Sequence, residues 1–409
     1  MSSKTHPSLP VPEPLRGSEP DTFAHDTVVR RLPNIVHRTI IENEFPDPVV
    51  QKLHALIAEI PDCPMRLLED QEAPDEEAWQ GYIEPFLGLN WLEVPWFFAE
   101  FYLYRRILEA TGYFQPEGWG YLRDPYILQK QMSLESSREA LQPLAASVNQ
   151  WVEDKARTKE VLHRVLRMDL WGNKADMSLW PASAGGRSQV NTAEAGKKQI
   201  VINDSQTVAE HLCSRESGSL RIDLLLDNAG LELVTDLYLA DYLLSSGLAH
   251  NVVLHPKTYP IFVSDATAKD IEETLLFMEQ PSSAEVDLVV MRLQDLRREG
   301  RLGIRMNDFW TFPLASWEMP ECLRSDLGDS DLVISKGDAH YRRLLGDRHW
   351  PPTTPFAEIM SYFPSPILAL RVGKSEVVCG LKLGEEKALK EQDPGWMTNG
   401  QWGWIQFKR

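Results

Sequence analysis

Four short apolar runs in the second half of this chain each stop at a charged or amide residue, and that arrangement constrains the fold more than any other feature. LRIDLLL (220–226) runs into Asp227-Asn228-Ala229-Gly230, and IFVS (261–264) runs into Asp265. DLVIS (331–335) leads into Lys336-Gly337-Asp338, and ILAL (367–370) into Arg371, with Lys374 close behind. The runs read as strands, with further strands expected at Asn251–Leu254 and Glu376–Leu381. Amphipathic stretches lie between them. Gly230–Ser246 places Leu233, Leu237, Ala240 and Leu244 on one face and stops at Gly247. Thr267 with Asp270 opens another helix as a capping pair. Strands alternating with helices make an α/β sheet that is parallel for the most part. In such an open sheet the C-terminal strand ends share one edge, and ligands bind in the crevice along it.

The first half has a different texture. Val49, Val50, Leu53, Leu56, Ile57 and Ile60 recur at helical spacing. Trp91–Leu108 is apolar nearly all round, which predicts a buried central helix. Glu100, Arg105 and Arg106 within it read most simply as a buried ion-pair network, with Glu100 kept as a secondary site candidate. A weaker stripe runs through Trp151–Leu166. The expected organisation is a flexible leader (1–24), a helical bundle (25–180) and an α/β domain (181–409), with an exposed loop at 181–198.

Charge narrows the partners. Lys plus Arg is 42 and Asp plus Glu is 60 in 409 residues, a formal charge of −18. So acidic a surface repels phosphate backbones and anionic lipid, which argues against nucleic acid and membrane as partners. No apolar run approaches the length of a membrane span. Cys63, Cys213, Cys322 and Cys379 are scattered without a Cys-x-x-Cys pair, as expected for a reducing cytoplasm, with the nucleus also open. The residues name no protein partner.

Against that background, a few convergent cations carry information. Asp227, Asn228 and Asp265 offer hard oxygen donors suited to Mg²⁺ or Mn²⁺. Lys336, Arg342 and Lys374 add positive charge at the same edge, and His340 is the best placed of the histidines. Carboxylates for a metal beside cations for an anion are what phosphoryl chemistry requires. Each piece alone also has a plain structural reading: Asp-Asn-Ala-Gly as a turn, Asp265 as a helix cap, His340 as a solvated loop residue. Their coincidence is the argument. No Gly-x-Gly-x-x-Gly follows a strand, and no Walker loop or Gly-x-Ser-x-Gly elbow is present.

The stretches 224–244 (LLLDNAGLELVTDLYLADYLL), 262–267 (FVSDAT), 330–356 (SDLVISKGDAHYRRLLGDRHWPPTTPF) and 170–179 (LWGNKADMSL) together resemble the damage-control phosphatases. NWLEVPWFFAEFYLYRRI (90–107) resembles the branch containing sugar-phosphate phosphatases. The resemblance implies a three-layer α/β/α Rossmann-like sheet with an N-terminal helical domain. It also implies a phosphatase using Mn²⁺, Co²⁺, Ni²⁺ or Mg²⁺ on sugar phosphates such as fructose 1-phosphate or fructose 6-phosphate. The metal ligands fall on Asp227, Asn228 and Asp265, with Asp227 and Asp265 catalytic. Substrate binding falls on Asp227, Asn228, Asp338, His340, Tyr341, Arg342 and Lys374. Lys336, Asn173, Asp176 and Arg371 are secondary candidates. Two positions depart from the family pattern: Val372 stands where Thr is usual, and His340 where Asn is usual. Whether water or an Asp carboxylate attacks phosphorus stays open. The same branch has been linked to S-adenosylmethionine-dependent protein-glutamate O-methyltransferase activity, which is the alternative reading.

Overall fold

The computed structural model describes residues 5–172, 200–215, 218–280 and 283–409. Among them a seven-stranded sheet forms the middle layer: β1 (Ile200–Asn203), β2 (Leu220–Leu225), β3 (Ala249–His255), β4 (Leu302–Ile304), β5 (Leu332–Lys336), β6 (Ile367–Val372) and β7 (Gly403–Lys408). Their order is β1-β7-β6-β5-β2-β3-β4. The five strands from β6 to β4 are mutually parallel. β7 runs antiparallel to β6, and β1 pairs parallel with β7.

Side chains on a strand alternate between the two faces, and this sheet buries both. Leu225, Val333, Ile367 and Ala369 join one core with the aromatic Trp96–Thr111 helix and its neighbours. Ile222, Leu224, Leu332, Ile334, Leu368 and Leu370 join the other, under the Arg138–Glu153, Lys159–Leu170 and Leu231–Ser245 helices. The result is a three-layer α/β/α architecture with an N-terminal helical region. Helices expected in the bundle thus divide between the two faces, so the first half does not stand apart from the sheet. The expected boundary at 180/181 and the loop at 181–198 lie outside the described residues.

Several expectations are corrected. Residues 5–24 do not form a flexible leader. Leu15 donates its amide to the Asp347 carbonyl (3.0 Å) and accepts from the Trp96 amide (2.8 Å). The Phe23 amide donates to Glu376 (2.8 Å). A Pro-rich segment has few internal hydrogen bonds to offer itself, so its polar backbone is satisfied by neighbours once it lies on the body of the protein. Ile261–Ser264 is not a strand but a turn in which Phe262 (φ 49°) and Val263 (φ 65°) both take left-handed backbone. Phe262 packs between Phe101 and Tyr104, which holds the turn in place. Glu376–Leu381 is irregular as well. The capping box at Thr267 and Asp270 forms as expected. All of Trp96–Thr111 is buried, with Arg105 paired to Asp70 and Asp75, and Arg106 to Glu59 and Glu109.

Candidate functional site

In the sheet order, the chain leaves β2 toward β3 on one side and meets β5 on the other. The junction of β2 and β5 is therefore the topological switch point, where parallel sheets open a crevice. A cleft lies there, lined by Leu170, Asp227, Glu232, Lys336, Gly337, Asp338, Leu370, Val372 and Lys374. Its cavity volume is about 10 Å³, roughly room for one water or one bare ion. A sugar phosphate would have to open it further.

Asp227 lies two residues past the last residue of β2, after Leu226, and the backbone ties it to Asp265. The Ala266 amide donates to the Asp227 carbonyl (2.7 Å), the Ala229 amide to the Ser264 carbonyl (2.7 Å), and Asn228 forms a β-bridge with Asp265. The strained turn before Asp265 swings it into this pairing. Strain of this kind persists where the surroundings over-determine it. Asn228 spans the site: its Nδ2 donates to Asp227 Oδ2 (2.6 Å) and Glu232 Oε2 (2.8 Å), while its Oδ1 accepts from Ser264 Oγ (2.6 Å).

Burial first, then the charges of Asp265 and Glu232, hold the Asp227 carboxyl well above its usual range, against the pull of Lys257 and Lys374. Burial also raises Asp265, opposed by Lys257. Asp227 Oδ1 is buried without a hydrogen-bond partner. Asp265 Oδ2 lies 3.1 Å from Lys257 Nζ, an ion contact not aligned as a hydrogen bond. Crowded, under-satisfied carboxylates of this sort fit a divalent cation. The described residues contain no group of three His, Cys, Asp or Glu arranged for a metal, so the donor set would be two carboxylates and the Asn228 amide. Such a set suits a hard cation that keeps several waters. Asn228 would have to turn its amide over to present Oδ1 in place of Nδ2.

Asp338 opens the Gly337–Leu345 helix at the cleft. Its Oδ1 accepts from Arg371 Nε (2.7 Å), Ser375 Oγ (3.0 Å) and the Lys374 amide (3.2 Å). Burial opposes its ionisation, but Arg371 and Arg342 outweigh this and hold its carboxyl below the usual range. Arg371 is thus a buried anchor for the Lys374 loop. Lys374 itself is exposed at the rim. Lys336 reaches the cleft but gives its ammonium to Asp169 and Asp236, each at 2.8 Å. Burial works against that charge, and Asp169, Asp236 and Glu232 override it to raise its pKa. Val372 replaces the expected hydroxyl with an apolar wall of the cleft.

Three expected substrate contacts are corrected. Each helical residue turns about 100° from the last, so His340 and Tyr341 turn away from the face that Asp338 presents to the cleft, while Arg342, one turn further along that face, is taken up by other partners. His340 is buried against Trp310, its Nε2 at 2.8 Å from Lys257 Nζ. Burial, then Lys257 and Arg343, push its pKa well below the usual histidine value. Tyr341 donates to Gln406 (2.8 Å) in the core. Arg342 is held by Asp347 and Glu100, so Glu100 is its partner and not a cleft residue. Asn173 and Asp176 lie outside the described residues. The sequence reading passed over Glu232, Ser264 and Lys257. Lys257 follows β3, so the strand-end rule applied once more would have found it.

Gly337 shows how tight the site is. Its φ is +79°, and a Cβ there would fall 1.8 Å from Asp227 Oδ2. Gly337→Ala is expected to lower stability by about 1–3 kcal/mol through overpacking and to displace the Asp227 carboxylate. Thermal melts and phosphate-release assays on the purified variant check both effects.

The chain matches the damage-control phosphatase ARMT1-like domain over residues 27–389. It is 33% identical over 437 residues to the damage-control phosphatase ARMT1 of Danio rerio, covering 97% of each chain. It is 30% identical over 442 residues to that of Homo sapiens, covering 97% of this chain and 98% of the relative. A DUF89 family protein from Pyrococcus horikoshii aligns in structure over 94% of this chain and 98% of its own, with TM-score 0.47 and 14% identity.

Proposed function

This chain belongs to the damage-control phosphatase ARMT1-like family, and from that premise we propose that it is a metal-dependent phosphatase of small sugar phosphates. The observation that carries the reading is the pairing of Asp227 and Asn228 with Asp265 at the switch point between β2 and β5, where Asp227 shares the cleft with Lys374. Asp227, Asn228 and Asp265 would hold the cation. When bound, a divalent ion there supplies charge that polarises a phosphate oxygen.

The remaining roles belong to this chain's own groups. Lys374, at the rim and free of a carboxylate partner in the ion pairs described, approaches the non-bridging oxygens of the ester. The N-terminus of the Gly337–Leu345 helix opens onto the same space, and unpaired amides there favour an anion. Asp338, locked by Arg371 and Ser375, holds the Lys374 loop in place and offers an acceptor for sugar hydroxyls. Lys336 contributes its field from behind Asp169 and Asp236. We also keep a reducing cytoplasm as the setting, in line with four unpaired cysteines. Among the described residues no helix is long and apolar enough to cross a membrane.

Purified protein is expected to release phosphate from fructose 1-phosphate or fructose 6-phosphate with Mn²⁺, Co²⁺, Ni²⁺ or Mg²⁺, to stop in excess chelator, and to recover when metal is restored. Absence of release across that matrix of metals and esters would overturn the reading. Calorimetric titration with S-adenosylmethionine tests the methyl-transfer alternative, and no binding heat is expected.

A further inference from the structure

Behind the cleft sits a cation that the proposed hydrolysis leaves unassigned. Lys257 is 1% exposed. Its Nζ lies 2.8 Å from His340 Nε2, 3.1 Å from the Leu226 carbonyl and 3.1 Å from Asp265 Oδ2. An ammonium donates and accepts nothing: Lys257 donates to the Leu226 carbonyl, meets His340 Nε2, and holds Asp265 Oδ2 by charge rather than by an aligned hydrogen bond. The histidine ring is braced in turn by Trp310, 5.4 Å between centroids and edge-on. The main chain is as well determined as the side chain: the Lys257 amide donates to the Ala266 carbonyl (2.8 Å), next to the Ala266 amide that donates to Asp227 (2.7 Å).

We infer that Lys257 is a positioning residue for the metal pair, resting on the reading that Asp227 and Asp265 hold a divalent cation. It engages Asp265 through Oδ2 and so leaves Oδ1 as the oxygen for the cation. It also keeps Asp265 from turning away from Asp227 while no cation is bound. Partners that orient a metal ligand from behind typically change metal affinity 10–100-fold when removed.

The test uses Lys257→Met, which keeps an unbranched side chain one atom shorter and removes the charge and donors. Mn²⁺ titration of the full chain without substrate, followed calorimetrically, should give a dissociation constant weakened about 10–100-fold. At saturating Mn²⁺, the KM for fructose 1-phosphate should stay within about threefold of wild type, because Lys257 does not touch the ester. A thermal cycle with Asp265→Asn guards against a folding failure. Lys257→Met should be costly alone and much cheaper in the Asp265→Asn background, where no buried carboxylate is left unpaired. Unchanged Mn²⁺ affinity in Lys257→Met, or an equal cost in both backgrounds, would overturn the inference and leave the phosphatase reading standing. Failure of the wild-type chain to bind Mn²⁺ would remove the metal reading and this one with it.

Discussion

Asp227→Asn is expected to abolish nearly all phosphatase turnover and, in the same protein, to raise the melting temperature of the metal-free form. Loss of turnover should be about 10²–10³-fold, the usual cost of deleting one charge-stabilising group from a water-poor site. The stability gain follows from the surroundings. Asp227 is buried, its Oδ1 has no hydrogen-bond partner, and Asp265 and Glu232 face it with the same charge. An unsatisfied buried polar group costs about 1–3 kcal/mol, and more when charged. The sign of the pH dependence is fixed by the direction of the shift. The folded carboxyl binds its proton more tightly than the unfolded one, so ionisation penalises the folded state. The penalty is absent below the unfolded value of 3.8, grows as pH rises toward the elevated folded value, and persists above it. Wild type and Asp227→Asn should therefore melt together near pH 4 and separate by neutral pH, with the variant higher. Mn²⁺ should raise the melting temperature of wild type and not of the variant, because only a ligand of the folded state stabilises it. Melting curves across pH, with and without Mn²⁺, check the whole pattern. A variant that melts lower at pH 7, or that still turns over, would contradict it.

The combination of lost function and gained stability is what a site built from conflicting charges predicts. Part of the candidate site was legible because parallel strands bring their C-terminal ends to one edge, and Asp227 after β2, Lys336 to Asp338 at the end of β5 and Lys374 after β6 line one cleft. Asp265 reaches Asn228 by a route other than the one expected. It does not end a strand; a left-handed turn at Phe262 and Val263 delivers it to Asn228. Nothing in the local letters announces that turn, because Phe and Val favour extended backbone and only packing against Phe101 and Tyr104 overrides the preference. β4, with three residues, was below the length at which periodicity speaks. β7 was hidden in a Trp- and Gly-rich tail. The stretch from Asp338 to Arg342 was read as one substrate-binding unit. A helix sends successive residues to different sides, so only its first turn reaches the cleft while His340 and Tyr341 enter the core.

Arg342 turns that correction into a second large effect. Its Nε and Nη2 hold Asp347 Oδ1 and Oδ2 at 2.7 and 3.0 Å, its Nη1 donates to Glu100, and its guanidinium stacks 3.6 Å from the Trp96 ring centroid. Burial alone would weaken the charged form, yet Asp347 and Glu100 more than offset it and raise its pKa. Burial raises the Glu100 carboxyl, with Arg342 opposing. Arg342→Met strands both carboxylates in the interior, and breaking a buried pair in this way costs about 3–5 kcal/mol. Had Arg342 neutralised substrate phosphate, the variant would fold normally and lose affinity for the ester. Arg342→Met is instead expected to unfold at much lower denaturant concentration, while the folded fraction keeps the wild-type KM for fructose 1-phosphate within about threefold. Adding Glu100→Gln and Asp347→Asn should recover part of the stability, since an uncharged, hydrogen-bonded interior is less costly than an unpaired charged one. Urea titrations of the single and triple variants, with KM measured well below their midpoints, separate the two roles. A normally folded Arg342→Met with a steeply raised KM would return this residue to the substrate site.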